Sequence, residues 1–134
     1  MNFVNGFYEW TGNNLIHKLK VANKTSLYIA ITLTNGTTLY ERYDQFYITD
    51  EADGYRLNLT GKSTGTLGDS MTPSYRHWNL NGMKFSTADR DNDMYPGGPC
   101  GSREGGWWFN HCSQSFLNSD YWYPPWAPTI LLNK

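Results

Sequence analysis

The chain has 134 residues, enough for one domain with a sizeable core. Eleven basic residues stand against twelve acidic ones, a net charge of −1 with no basic block, which argues against a nucleic-acid partner. No apolar run approaches the roughly 20 residues of a membrane span, and the opening stretch MNFVNGFYEW does not read as a secretory leader.

Aromatic residues are dense: ten Tyr, six Trp and six Phe. Such rings suit half-buried sheet faces, and they also stack on sugars and other ligands. In chain order the first clear element is a strand. Leu27, Ile29, Ile31 and Leu33 alternate with Tyr28, Ala30 and Thr32, the period of a sheet with one buried face. Asn35-Gly36 predicts a hairpin closed by a type I′ turn, whose two central residues need positive φ. The returning strand spans about 38–43, another covers 46–49, and Asp53-Gly54 turns the chain into the alternating Tyr55, Leu57 and Leu59. These strands form an antiparallel meander.

From Gly61 the pattern changes. Residues 61–126 are rich in Gly, Pro, Ser, Asn and Trp and carry no helical stripe. A loop region of this length that stays ordered needs a metal, a disulfide or a ligand to hold it. The expected fold class is α+β, mostly antiparallel β, in a single domain over 1–134. A twisted β-meander over 6–60 is followed by a loop-rich subdomain over 61–126, and 127–134 forms a tail or strand.

Within that region DRDNDMYPGGPC, residues 89–100, sets Asp89, Asp91 and Asp93 on alternate positions. A short run of this kind can supply oxygens to Ca²⁺, which takes six to eight of them. An EF-hand is excluded, because Met94 stands where that loop needs Gly and Cys100 where it needs Glu. Either carbonyls near Tyr95 and Gly97 complete a cation site, or the run is a solvated acidic turn.

His17, His77 and His111 show no i, i+2 or i+4 pairing, which argues against zinc. No G-x-S-x-G elbow occurs, and one acidic loop does not supply a glycosidase's two carboxylates from separate elements, so no enzyme is expected. In EGGWWFNHC, Gly105-Gly106 permits close backbone approach, and at least one of Trp107 and Trp108 should anchor the loop to the core. Cys100 and Cys112 are either a bridge, worth about 2–3 kcal/mol, or two buried thiols. Sequons at Asn23, Asn35 and Asn58, together with the cysteines, tilt the reading toward an extracellular glycoprotein.

Taken together, YDQFYI, TLGDSM, NGMKFSTADRDND and GGWWFNHCSQSFLN resemble the fibrinogen C-terminal globular domain family, which includes ficolins, tachylectins and angiopoietins. With GFYEWTGNNLIHKLK upstream, the resemblance runs from about Gly6 to Asn118. It implies a calcium site with side-chain ligands Asp91 and Asp93 and carbonyl ligands Tyr95 and Gly97, Asp89 standing outside. It also implies a Cys100–Cys112 disulfide, a cis peptide between His111 and Cys112, and a ligand pocket drawing on Arg103, Glu104, His111, Cys112 and Ser113. Ser113 replaces a histidine common in the family, and Ser115-Phe116-Leu117-Asn118-Ser119 replaces Ser-Asn-Leu-Asn-Gly. Pocket aromatics would have to come from Tyr121, Trp122 or Trp126. The family's N-terminal subdomain has no counterpart before residue 6, and its C-terminal portion none after Tyr121. The resemblance therefore implies a partial or reduced member in which Thr129–Leu132 could replace a missing strand.

The implied function is a secreted, calcium-dependent, lectin-like module of innate immunity that binds acetylated carbohydrate on microbial or cell-surface glycans. The alternative is a protein–protein interaction module of the angiopoietin or fibrinogen type, binding a receptor or matrix protein. Neither involves nucleic acid or membrane insertion, and any oligomerisation would run through segments outside this chain.

Overall fold

The computed structural model describes residues 2–4, 7–8, 13, 17–18, 26–100, 105–118 and 125–127. Five strands form one sheet: β1 (Asn2–Val4), β2 (Phe7–Tyr8), β3 (Leu27–Thr32), β4 (Thr38–Ile48) and β5 (Leu57–Gly65), in the order β2-β1-β3-β4-β5. All neighbours pair antiparallel except β1 and β3, which run parallel, so the sheet is more than a meander. Helical structure among the described residues is sparse: 3₁₀ turns at Glu51–Asp53 and Arg76–Trp78, and helical positions at Asn13, His17 and Lys18.

The alternation in β3 does what its period predicts, burying Ile29 and Ile31 while Tyr28 stays exposed. The β3–β4 connection is a hairpin, but not of the expected turn type. The Gly36 amide donates to the Leu33 carbonyl at 2.9 Å and Leu33 donates to Thr37 at 2.7 Å. Of the two residues Asn35 and Gly36, only Gly36 has positive φ, at +89°. This is a three-residue loop with a glycine bulge, the next most common hairpin closure.

The two strands expected over 38–43 and 46–49 are one. Apolar alternation changes phase near Asp44, where the β4–β5 register shifts and Gly61 and Lys62 of β5 stand opposite a single β4 residue. Pairing then continues to Gly65, past the expected division at 60/61. The polar run Gly61-Lys62-Ser63-Thr64-Gly65 gives no apolar period from which to read a strand.

One core serves both halves of the chain. Ile29, Ile31, Phe46, Ile48, Leu57 and Leu59 from the sheet join Leu67, Met71, Leu80, Trp107, Trp108, Phe109, Phe116, Leu117 and Trp126 from the loops. Two carboxylates fasten the loop after β5 to β4. Buried Glu41 accepts the Gly68 amide at 3.0 Å. Asp69 accepts the Tyr43 hydroxyl at 2.8 Å and the Met71 and Thr72 amides at 3.0 and 2.8 Å. Burial, then the charge of Asp69, pushes the Tyr43 phenol far above its ordinary range. Residues 125–127 are seated by the Trp126 indole donating to Gly68, the Ser70 hydroxyl donating to Ala127, and Ala127 donating to Gln114.

Candidate recognition site

The acidic run hangs from the core through Asn92. Its backbone amide donates to the Ser86 hydroxyl at 2.9 Å, and its Nδ2 donates to the Phe85 carbonyl at 2.9 Å. Ser86 is itself bridged to Trp107 by a pair of backbone hydrogen bonds. On either side of Asn92, Asp91 is exposed and Asp93 half-buried. Asp89 takes no part there: it accepts the Thr87 hydroxyl at 2.6 Å, which holds its carboxyl below the usual range.

Asp91 accepts the Asp93 amide at 3.2 Å. Asp93 accepts the Tyr95 amide on Oδ1 at 2.9 Å and the Cys100 amide on Oδ2 at 2.7 Å. The Asp93 carboxyl is pushed up, first by burial and then by the facing Asp91, despite those two amides. Among the described residues the ion pairs are Arg42–Asp44 and Arg56–Asp53, so no described cation offsets this like-charge pair. No group of three or more His, Cys, Asp or Glu gathers among the described residues. An ion here would therefore draw its remaining oxygens from backbone carbonyls, such as those of Tyr95 and Gly97, and from water. Two adjacent carboxylates in an exposed turn with such carbonyls suit a hard cation in donor type.

The second anchor is the Cys100–Cys112 disulfide, with an S–S distance of 2.00 Å and Cα atoms 5.6 Å apart. The His111–Cys112 peptide is cis. Just before it, Asn110 joins three loops. Its Nδ2 donates to the Arg76 and Asn79 carbonyls at 2.9 and 2.8 Å, its carbonyl accepts the Met94 amide at 2.9 Å, and its amide donates to Cys112 at 2.8 Å. The His111 amide adds a bond to the His77 carbonyl at 3.0 Å.

This cross-tying assembles a continuous run of rings. Trp78 packs on Tyr75 at 4.8 Å between centroids, Tyr75 on His77 at 5.3 Å, His77 on His111 at 4.9 Å, and His111 on Tyr95 at 5.0 Å. Three of these rings stand at the surface, Tyr75 being 53% exposed, Trp78 38% and Tyr95 41%, with the adjoining Met94 at 63%, while His77 and His111 between them are half-buried. Gly97 lies so close beneath Tyr95 that an added Cβ would come within 2.6 Å of that ring.

The structure thus brings Asp91, Asp93, Tyr95, Gly97, Cys100, His111 and Cys112 into one region. Ser113 is engaged elsewhere, its hydroxyl accepting the Ser115 amide at 3.0 Å. Arg103, Glu104, Tyr121, Trp122, the sequon at Asn23 and the segment Thr129–Leu132 lie outside the described residues. Gly105-Gly106 does allow close approach: with φ +106° at Gly105, a Cβ would fall 2.0 Å from the Asn118 carbonyl. Both Trp107 and Trp108 are core residues, at 0% and 1% exposure, so neither is left for a ligand. Sequence reasoning passed over Asn92, Asn110, Tyr75, His77 and Trp78 as site residues. The ring density of SYRHW was the one local signal.

Residues 3–127 match the family model for the C-terminal globular domain of fibrinogen beta and gamma chains. The chain belongs to this fibrinogen C-terminal domain family. Human fibroleukin is 41% identical to the fibrinogen-like chain over 115 residues, covering 85% of it and 26% of the relative. Rat fibrinogen-like protein 1 is 39% identical over 132 residues, covering 93% and 41%. The fibrinogen-like globe domain of human ANGPTL2 superposes with a TM-score of 0.71 at 35% identity, covering 85% of this chain and 49% of that one. Lamprey fibrin D-dimer, complexed with the peptide Gly-His-Arg-Pro-amide, superposes at 0.77 and 28% identity, covering 91% and 46%. The fibrinogen-like chain therefore spans less than half of each of these proteins. Members of the family are recognition and binding modules rather than enzymes. No helix among the described residues is long and apolar enough to cross a membrane.

Proposed function

We propose that this fibrinogen-like domain is a secreted protein-recognition module whose contact surface is the ring run Trp78–Tyr75–His77–His111–Tyr95 with Met94. The exposed ring run carries the reading. Aromatic side chains and methionine are enriched at the centres of protein interfaces, where they bury large areas at little entropic cost. Asn110 and the disulfide hold the supporting loops in place before any partner arrives, which lowers the ordering cost of binding. Calcium, in this reading, sits at Asp91 and Asp93 with the Tyr95 and Gly97 carbonyls. It offsets their repulsion and stiffens the turn beneath Met94 and Tyr95 without touching the partner. The one ligand seen among the neighbours named above is a peptide. Acetylated sugar, the ligand class expected first from the sequence, has less support, because Ser113 is engaged with Ser115.

A peptide-display selection against the folded domain in calcium tests the reading, with N-acetylglucosamine as a second probe. Selected peptides should compete with one another and lose at least tenfold in affinity to Tyr75→Ala and Trp78→Ala. Peptides indifferent to both substitutions, or saturable sugar binding with no peptide binding, would overturn it.

A further inference from the structure

We infer that Asn35, at the tip of the β3–β4 hairpin, is the acceptor of an N-linked glycan, and that Asn58, in an identical N-x-T context, is not. The inference rests on the chain being secreted. Asn35-Gly36-Thr37 lies in a run, residues 34–38, that is exposed throughout. The Asn35 side chain forms an Asx turn, its Oδ1 accepting the Thr37 amide at 2.9 Å. That bond occupies the oxygen and leaves the carboxamide nitrogen, the atom that must be glycosylated, facing solvent. Beside it, a Cβ added at Gly36 would meet nothing within 4 Å, so the space around the tip is open. Gly36 also allows the loop to be drawn out into an enzyme's binding site with little resistance.

Asn58 is placed differently. It is half-buried within β5, directly opposite Tyr47 of β4, between Leu57 and Leu59 at 0% and 5% exposure. Its Thr60 hydroxyl is already engaged, donating to Gln45 at 2.8 Å. A glycan leaving from Asn58 would have to be accommodated against the paired sheet, whereas one at Asn35 extends into water from a turn.

The donor class is a polyprenyl-diphosphate-linked oligosaccharide, acted on by the transferase of the secretory pathway. The Asn35 Nδ2 forms a bond to the anomeric carbon of the sugar, and the bond from that carbon to the diphosphate breaks. The polyprenyl diphosphate leaves with the bonding pair, and the amide gives up one proton.

The whole chain, carried into the secretory pathway of a eukaryotic host by a supplied leader, should be recovered with a glycan at Asn35. Glycopeptide mass spectrometry reads this directly on the unmutated protein, whatever the variants do to folding. Asn35→Gln and Thr37→Ala should remove that glycan, Thr37→Ser should retain it, and Asn58→Gln should leave the mass of the glycan complement unchanged. An unmodified Asn35 peptide, or occupancy at Asn58, would overturn the inference. Because the leader is supplied, such a failure is separate from failure of the secreted reading, which the native gene's own product tests by its location.

Discussion

Asp93 and Cys100 are joined by one hydrogen bond, the Cys100 amide donating to Asp93 Oδ2 at 2.7 Å. The acidic turn and the disulfide are therefore one mechanical unit, and the repulsion between Asp91 and Asp93 works against it. A cation at that pair should stabilise the whole unit. Calcium is expected to raise Tm in the unmodified chain and in Asp89→Asn, and to leave Asp91→Asn and Asp93→Asn unchanged. For a site of extracellular strength, Kd about 10⁻⁴–10⁻³ M, about 10 mM calcium adds about 1.4–2.7 kcal/mol. Melts with calcium and with EDTA check this, and identical melts for the unmodified chain would remove calcium from the site.

Asn110 is the hub of the surface. Asn110→Ala leaves the Arg76 and Asn79 carbonyls without their side-chain donor. The expected loss is about 1 kcal/mol in urea unfolding, coming mainly from the partly buried Asn79 carbonyl, since the bond to Arg76 is exposed and water can replace it. Asn110→Asp should cost more, since an acceptor-only carboxylate would then face two carbonyls. If Asn110→Ala unfolds at the same urea concentration as the unmodified chain, these bonds do not organise the loops.

How legible the molecule was depended on how far apart the interacting residues lie in sequence. Strand β3 could be read from Ile29 and Ile31 because period-2 burial is local. The division of β4 into two strands came from a phase change whose cause, the bulge at Gly61 and Lys62, sits on the partner strand. Family resemblance supplied the Cys100–Cys112 pairing, which the structure contains, because a disulfide at fixed spacing travels with the motif. The ring run was not legible: His77 and His111 meet through bonds that span 31 to 34 positions, from the Asn110 side chain to the Arg76 and Asn79 carbonyls and from the His111 amide to the His77 carbonyl. Both tryptophans of the Gly-Gly-Trp-Trp segment are buried because the chain from Trp107 to Phe109 runs inside the core, where neither face meets water.

Trp126 closes the core from the far end of the described chain. It is fully buried, and its indole donates to the Gly68 carbonyl at 2.8 Å. Trp126→Phe keeps most of the apolar volume but leaves that carbonyl unpaired, an expected cost of about 1–3 kcal/mol. Trp126→Ala adds a cavity and should cost about 3–5 kcal/mol. Urea midpoints of the two variants check the order. Equal losses would mean that volume does not matter there and would contradict its place in the core.

Asp53 gives a pH signature away from the recognition surface. Its carboxylate accepts Arg56 Nε at 3.2 Å and Nη2 at 3.4 Å. These bonds, then Thr49, hold its carboxyl below the usual 3.8. Between the usual and the lowered value the unfolded chain binds more protons than the folded one, so stability falls as pH drops through that window. Above the window the contribution is complete. Asp53→Asn should therefore unfold at lower urea than the unmodified chain at neutral pH, with the gap closing below about pH 4 as Asp53 itself protonates. Because the pair is exposed, the gap should be small and should shrink in added salt. A gap that persists undiminished at about pH 3 would mean that Asp53 acts through the shape of its turn, where it follows the capping Asp50, and not through its charge.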